Sequence, residues 1–390
     1  VIDKEIKYSF IQKALDQRIS DHRLRSLTSI ENSLNNAEIE IDGKTFINFC
    51  SNDYLGLASH PAVIKRSKEF LEKYGAGSSS SRLISGTHSI HSALEEKLAS
   101  TFGFESALLF NSGFQANLSI ISAIVDRNSL ILMDKKCHNS LVNGAILSRA
   151  TIKRYQHNDV KQLESLLENA KGISYNRILI LTETVFSMDG DCNALTELIG
   201  LSNKYDALLY SDDAHALGVL GDRGLGLNYM KDGIDFNLGT FGKSFGGFGA
   251  FIGCSKLIKE YLINFAAGFI YTTALPPAII GGLDAALDLI PTMNKERMHL
   301  FDLIRLFKSD LKHSYEILHS ESQIIPIVIG SELKTLKLSK HLQDNGLWVS
   351  SIRPPTVENG ASRLRITFTA LHTKEQVKYL IKTLNNWSND

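Results

Sequence analysis

Lys243 lies in Thr240-Phe-Gly-Lys-Ser-Phe-Gly-Gly-Phe-Gly249, straight after a short apolar run and among small residues. An amine in that setting suits a covalent link to an aldehyde, because glycines and a serine let backbone and phosphate approach closely. Upstream, Leu208-Leu-Tyr-Ser-Asp-Asp-Ala-His215 reads as a strand ending in two carboxylates and an imidazole. A lysine for the aldehyde, an aspartate for a ring nitrogen and a nearby histidine are the parts of a pyridoxal 5'-phosphate (PLP) site. An opposite charge within about 4–6 Å raises the pKa of a ring-nitrogen cation by about 1–3 units, which keeps the heterocycle electron-poor. Successive strand residues point to opposite faces, so only one of Asp212 and Asp213 reaches the ring. Spacing alone leaves that choice open.

Other polar residues fall repeatedly just beyond predicted strands, where sites form in open α/β sheets. Ser112 and Gly113 follow one run, His138 another, Ser187 a third, Asp212 and His215 a fourth, and Lys243 a fifth. Ser112, Gly113 and Phe114 open a helix, where free backbone N–H groups favour phosphate. Phe114 would serve through its N–H, and Thr240 would add a hydroxyl to the same phosphate. His138 would stack on the ring and His215 would bond its phenolic oxygen. Arg365 alternates with Leu364 and Ile366 on a predicted strand and suits a substrate carboxylate, but Arg363 shares its face by parity. Asn52, in a turn-like segment, is a weaker candidate.

Two other phosphate motifs fail. A P-loop would need glycine at position 237, where Asn237 stands, and no G-x-G-x-x-G follows a strand. No grouping has metal-ligand spacing; His88 and His91 are three apart with no further ligands. No metal is therefore expected.

The elements that must hold these residues follow from periodicity. Short unbroken apolar runs at 107–110, 130–133, 178–181, 207–210, 236–239 and 250–253 read as strands covered on both faces. Helical segments between them imply an α/β fold with a mostly parallel sheet. An amphipathic helix is expected over 8–27 and a hairpin turning at Asp42-Gly43. Beyond residue 320, strands at 324–329, 347–352 and 364–368 alternate with helices, the last opened by a capping box at Thr373 and Gln376. The expected organisation is an N-terminal helix and hairpin arm over 1–45, a large PLP-binding α/β domain over 46–285 and a small α+β domain over 286–390.

The 390 residues balance 42 basic against 42 acidic side chains, so no net field favours nucleic acid or an acidic membrane. No apolar stretch approaches the roughly 18 residues of a membrane span. The four scattered cysteines, and charges within residues 1–7 where a secretory core would stand, point to a cytoplasmic protein.

The motifs Ser51-Asn-Asp-Tyr-Leu-Gly56, Arg82-Leu-Ile-Ser-Gly-Thr-His88, Asn111-Ser-Gly-Phe-Gln-Ala-Asn117, Thr184-Val-Phe-Ser-Met-Asp-Gly190, Asp212-Asp-Ala-His215 and Thr240-Phe-Gly-Lys243 make the chain resemble the α-oxoamine synthase family of fold-type-I PLP enzymes. The likeness runs from about residue 14 to the C-terminus. Ser351-Ile-Arg-Pro-Pro-Thr-Val357 with Arg363-Leu-Arg-Ile-Thr367 most resembles its branch in biotin synthesis. The resemblance implies PLP on Lys243, Asp212 at the ring nitrogen, and a cytoplasmic homodimer with shared active sites. It implies condensation of L-alanine with a pimeloyl thioester, carried by CoA or acyl carrier protein. The alanine carboxylate would be held by Arg365 and Asn52, with Arg25, Thr356 and His138 near substrate. Glu358, in place of the usual proline, and the bulky segment Ser244–Phe248 depart from the family's pattern.

Overall fold

The computed structural model describes residues 4–33, 35, 37–312 and 315–387, and the side chains from residue 7 onward. Of the charged N-terminal segment, residues 1–3 lie outside the described residues. The chain divides into two compact units, residues 52–299, and residues 1–51 together with 300–390.

Unit 52–299 is built on a seven-stranded sheet in the order Ser106–Phe110, Ala250–Cys254, Phe236–Thr240, Leu208–Asp212, Ile178–Glu183, Leu130–Asp134, Thr151–Tyr155. Ala250–Cys254 runs antiparallel to both its neighbours, and the ladders from Phe236–Thr240 to Thr151–Tyr155 are parallel. Alternation along the strands explains their unbroken apolar runs. Ile131, Met133, Leu179, Leu181, Leu238 and Ile252 pack with Ile120 and Ile121 of the helix Gly113–Ile124. Leu130, Leu132, Ile180 and Leu209 point the other way, onto Leu163, Leu167, Leu198 and Leu201 of the helices Val160–Glu168 and Leu195–Lys204. Each buried aliphatic side chain contributes roughly 1.5–3 kcal/mol, so both faces must be covered for these strands to persist.

The six expected strands are all present, each longer by one or two residues. Thr151–Tyr155 was not expected. It lies at the edge of the sheet, where Lys153 and Arg154 interrupt any apolar run.

In the other unit, Glu38–Ile41 and Lys44–Asn48 form the expected hairpin. Asp42 (φ 50°) and Gly43 (φ 69°) supply the two left-handed residues of a tight hairpin turn. The expected strand at 347–352 is two strands in two sheets: Leu347–Trp348 beside Lys44–Asn48, and Ser350–Ile352 beside Ser362–Thr367. Ser362–Thr367 also pairs antiparallel with Ile324–Gly330. The last helix, Lys374–Asn385, carries the capping box: Thr373 Oγ1 accepts from Gln376 N–H at 3.1 Å, and Gln376 Oε1 accepts from Thr373 N–H at 2.9 Å. The N-terminal helix is Lys4–Ser20, shorter than the expected 8–27, and it leaves Phe10, Ile11, Leu15 and Ile19 exposed. Among the described residues no helix is long and apolar enough to cross a membrane.

Candidate active site

The carboxyl ends of the parallel strands in unit 52–299 gather most of the expected residues. Lys243 sits in a compact turn, in which Phe241 N–H donates to Gly249 O, Gly247 N–H to Phe241 O and Gly246 N–H to Lys243 O. Gly246 (φ 61°) is required there, because a Cβ would lie 2.1 Å from Ala58 N. Asp212, at the end of its strand, accepts from Ala214 N–H at 3.0 Å and from Asn117 Nδ2 at 3.1 Å. Asp213 turns away. Its carboxylate accepts from Thr184 Oγ1 at 2.5 Å and from the N–H groups of Leu227 and Asn228. Burial pushes the Asp213 carboxyl up to about 7 against those hydrogen bonds.

Asp212 is thus the carboxylate that shares a space with His138 and Lys243. Burial lowers the His138 pKa, the Asp212 charge pulls it back and Lys243 pushes it further down. The residue as a whole is exposed, yet the loss of hydration at the ring still dominates. His138 caps the helix Asn139–Ser148, and its backbone N–H donates to Glu183 Oε1 at 2.5 Å. Glu183 pairs with Asp212 across the parallel ladder. Burial and the Asp212 charge push its carboxyl up to about 8.

The phosphate candidates converge as well. Ser112 caps the helix Gly113–Ile124, accepting from Gln115 N–H at 3.1 Å. A Cβ on Gly113 would lie 2.5 Å from Thr240 Cγ2, so glycine makes the cradle between helix start and strand end. Thr240 Oγ1 is buried with no hydrogen-bond partner among the described residues. An orphaned buried hydroxyl costs about 1–3 kcal/mol, and a phosphate oxygen at this helix start would accept from it. The Ser244 hydroxyl, one residue after Lys243, is likewise buried and orphaned. These features fit PLP. Phe114 is half exposed beside the cradle, consistent with use of its backbone alone.

His215 is buried, and its Nδ1 lies 2.7 Å from the Tyr54 hydroxyl, which is also 3.1 Å from Asn52 Oδ1. Tyr54 therefore joins two expected residues, Asn52 and His215. Ser187 is buried in a turn closed by Gly190 N–H to Phe186 O and by the bridge between Val185 and Cys192.

Arg25, Thr356 and Arg365 belong to the other unit. Arg25 Nη2 donates to Thr356 Oγ1 at 2.9 Å, bringing two expected residues together. Arg363 and Arg365 are both buried on Ser362–Thr367. Arg363 donates to a carbonyl two residues back, Ala361 O, whereas the Arg365 charge reaches the Cys50 thiol.

Sequence reasoning missed Asn117, Ser140, Glu183, Tyr54 and His157. Asn117 carried one usable signal, an amide one turn ahead of the apolar Ile120 and Ile121 on the buried side of its helix. His157, Asp189 and Asp191 offer ligand atoms within 4.8 Å of one another, a grouping with no pattern in the chain. They do not read as a metal site. Nδ1 of His157 faces Asp134 at 3.0 Å and Nε2 faces Asp191 at 2.6 Å, while Asp189 pairs with Lys136. Burial alone would lower the His157 pKa, but the two carboxylates override it and raise it to about 9. Both ring nitrogens thus face carboxylates already within hydrogen-bond distance.

The family model for class I and II aminotransferases matches residues 44–384. A putative 8-amino-7-oxononanoate synthase of Desulfosudis oleivorans is 42% identical over 98% of this chain and 99% of its own length. The 8-amino-7-oxononanoate synthase of Citrifermentans bemidjiense is 44% identical over 88% of this chain and 89% of its own. A solved structure of SPT with PLP superposes with a TM-score of 0.91 at 28% identity, covering 98% of both chains.

Proposed function

Since the chain belongs to the PLP-dependent class I and II aminotransferase family, we propose that it condenses L-alanine with a pimeloyl thioester. The products are 8-amino-7-oxononanoate, carbon dioxide and free thiol, a step of biotin synthesis. The observation that carries the reading is the meeting of Lys243, Asp212 and His138 beside an orphaned Thr240 hydroxyl and the Gly113 cradle. The relatives' names support the choice of substrates.

When bound, PLP supplies an electron sink for negative charge at the amino acid's Cα. Ser112, Gly113, Phe114 and Thr240 would hold its phosphate, Ser187 and His215 would contact the ring, and Asp212 would pair with the ring nitrogen. Lys243 Nζ would be the amine that holds the aldehyde carbon. The same Nζ, when neutral, would take the Cα proton as a general base. Arg365 and Asn52 would hold the alanine carboxylate, and His138 would donate to a substrate oxygen. Arg25 and Thr356 would meet the acyl group. A bond forms from Cα to the acyl carbon and the thiolate leaves with a proton. The carboxylate then departs as carbon dioxide, and Cα is reprotonated. Family membership also supports a homodimer with shared active sites and a cytoplasmic setting.

The test is product formation by the purified, PLP-loaded protein with alanine, glycine or serine and acyl thioesters of CoA or carrier protein. Amino-ketone release with alanine and a pimeloyl thioester is expected. The likeness to SPT favours one rival, a serine-using member of the family, and product with serine alone would establish it. Stoichiometric pyruvate from alanine without thioester would instead reveal a transaminase.

A further inference from the structure

Asn117 is a buried amide on the helix Gly113–Ile124, 1% exposed. Its Oδ1 accepts from the Tyr210 hydroxyl at 2.6 Å, and its Nδ2 donates to Asp212 Oδ2 at 3.1 Å and to Ser140 Oγ at 2.8 Å. This orientation has one solution. Turned over, the amide would set its oxygen against the Asp212 carboxylate, replacing a hydrogen bond by lone-pair repulsion. Because Ser140 Oγ accepts from Asn117, its own hydrogen is left for another acceptor, and His138 Nδ1 lies 2.8 Å away. The Ser140 backbone N–H, which can only donate, also points at Nδ1, at 3.3 Å. Two donors converge on one ring nitrogen, so Nδ1 carries the lone pair and the neutral ring holds its proton on Nε2.

From this relay we infer that Asn117 is a positioning residue: held by Tyr210, it aims one hydrogen at Asp212 and, through Ser140, sets His138 as an Nε2–H donor. One amide thereby couples Asp212, proposed for the cofactor nitrogen, to His138. What Nε2–H meets, a substrate oxygen, rests on the proposed function; the tautomer does not. The charged or titratable groups facing His138 are Asp212 on Leu208–Asp212, Lys243 in its turn and Glu183 on Ile178–Glu183. Against that background, donation to Nδ1 favours the neutral ring, so removing the donors raises its pKa.

The experiment is imidazole 15N spectroscopy of the 15N-labelled, PLP-loaded protein, with His138→Gln to assign the signal. Near neutral pH, Nδ1 is expected to report as unprotonated and Nε2 as N–H. Ser140→Ala should mix the tautomers and raise the His138 pKa by about one unit. Asn117→Asp sets a carboxylate against Asp212 and cannot donate to Ser140. It should move the tautomer likewise, shift the acid limb of kcat/KM upward and lower kcat more than it raises KM. Tyr210→Phe keeps both Asn117 donors and should show a smaller shift in the same direction. A proton on Nδ1 in the unsubstituted protein overturns the inference. So does a folded Ser140→Ala protein with the parent's tautomer and pKa, which decides the matter even if Asn117→Asp does not fold. If the tautomer is as inferred but alanine yields no product, the proposed function fails alone.

Discussion

Replacing Gly113 by alanine perturbs the proposed phosphate cradle through a single methyl group. That methyl would stand 2.5 Å from Thr240 Cγ2, about 1 Å inside ordinary carbon–carbon contact. Overpacking of this kind costs roughly 1–3 kcal/mol. The helix start must retreat from the strand end to relieve it, and that movement draws the N–H groups of Gly113 and Phe114 off the phosphate. The expected result is PLP affinity lower by about 5- to 150-fold. It is read by titrating the apoprotein with PLP and following absorbance. Thr240→Ser removes the colliding Cγ2 and keeps Oγ1, so the double variant Gly113→Ala/Thr240→Ser should bind more tightly than Gly113→Ala alone. A coupling above about 1 kcal/mol is expected for groups in direct contact. Thr240→Val keeps the methyl and deletes the hydroxyl. Losing one hydrogen bond to a charged group should weaken binding by about 1.5–3 kcal/mol. Unchanged affinity in Gly113→Ala, or a double variant no tighter than the single one, would refute the assignment of this cradle to phosphate.

Lys243→Ala should abolish turnover and the long-wavelength absorbance of the bound cofactor while leaving the melting temperature of the apoprotein near the parent's; persistence of both signals would remove Lys243 from the reaction. His157 has a folded-state pKa near 9, raised above its ordinary 6.5, so its stabilisation is complete below about pH 6.5 and is lost as pH rises through about 9. The full effect is at most about 3 kcal/mol. Urea midpoints measured from neutral to alkaline pH should fall in the parent and stay flatter in His157→Asn. Thr373→Ala deletes the side-chain half of the C-terminal capping box and should cost about 1 kcal/mol, read as a lower urea midpoint with activity unchanged.

Much of the architecture was legible because each sheet strand is covered on both faces, and a doubly covered strand needs an unbroken apolar run. Thr151–Tyr155 escaped because it is the exception: unlike the other edge strand, Ser106–Phe110, it is largely uncovered, and Lys153 and Arg154 break its apolar run. The stretch at 347–352 read as one strand, since nothing in its residue types records that Leu347–Trp348 and Ser350–Ile352 pair with different neighbours.

At the strand ends, residue chemistry and local spacing were enough to single out Lys243, the Asp212–Asp213 pair, His138, Thr240 and the Ser112–Gly113 helix start, because helix caps, strand ends and glycine turns are local features. Parity could say only that Asp212 and Asp213 diverge. The turn at Leu227 and Asn228, 14 and 15 residues further on, claims Asp213 and so leaves Asp212 facing His138 and Lys243. The donors around His138, the orientation of Asn117 and the raised pKa of His157 depend on partners up to 95 residues away in the chain. Hydrogen-bond direction and charge state are properties of a finished neighbourhood, and only folding assembles it.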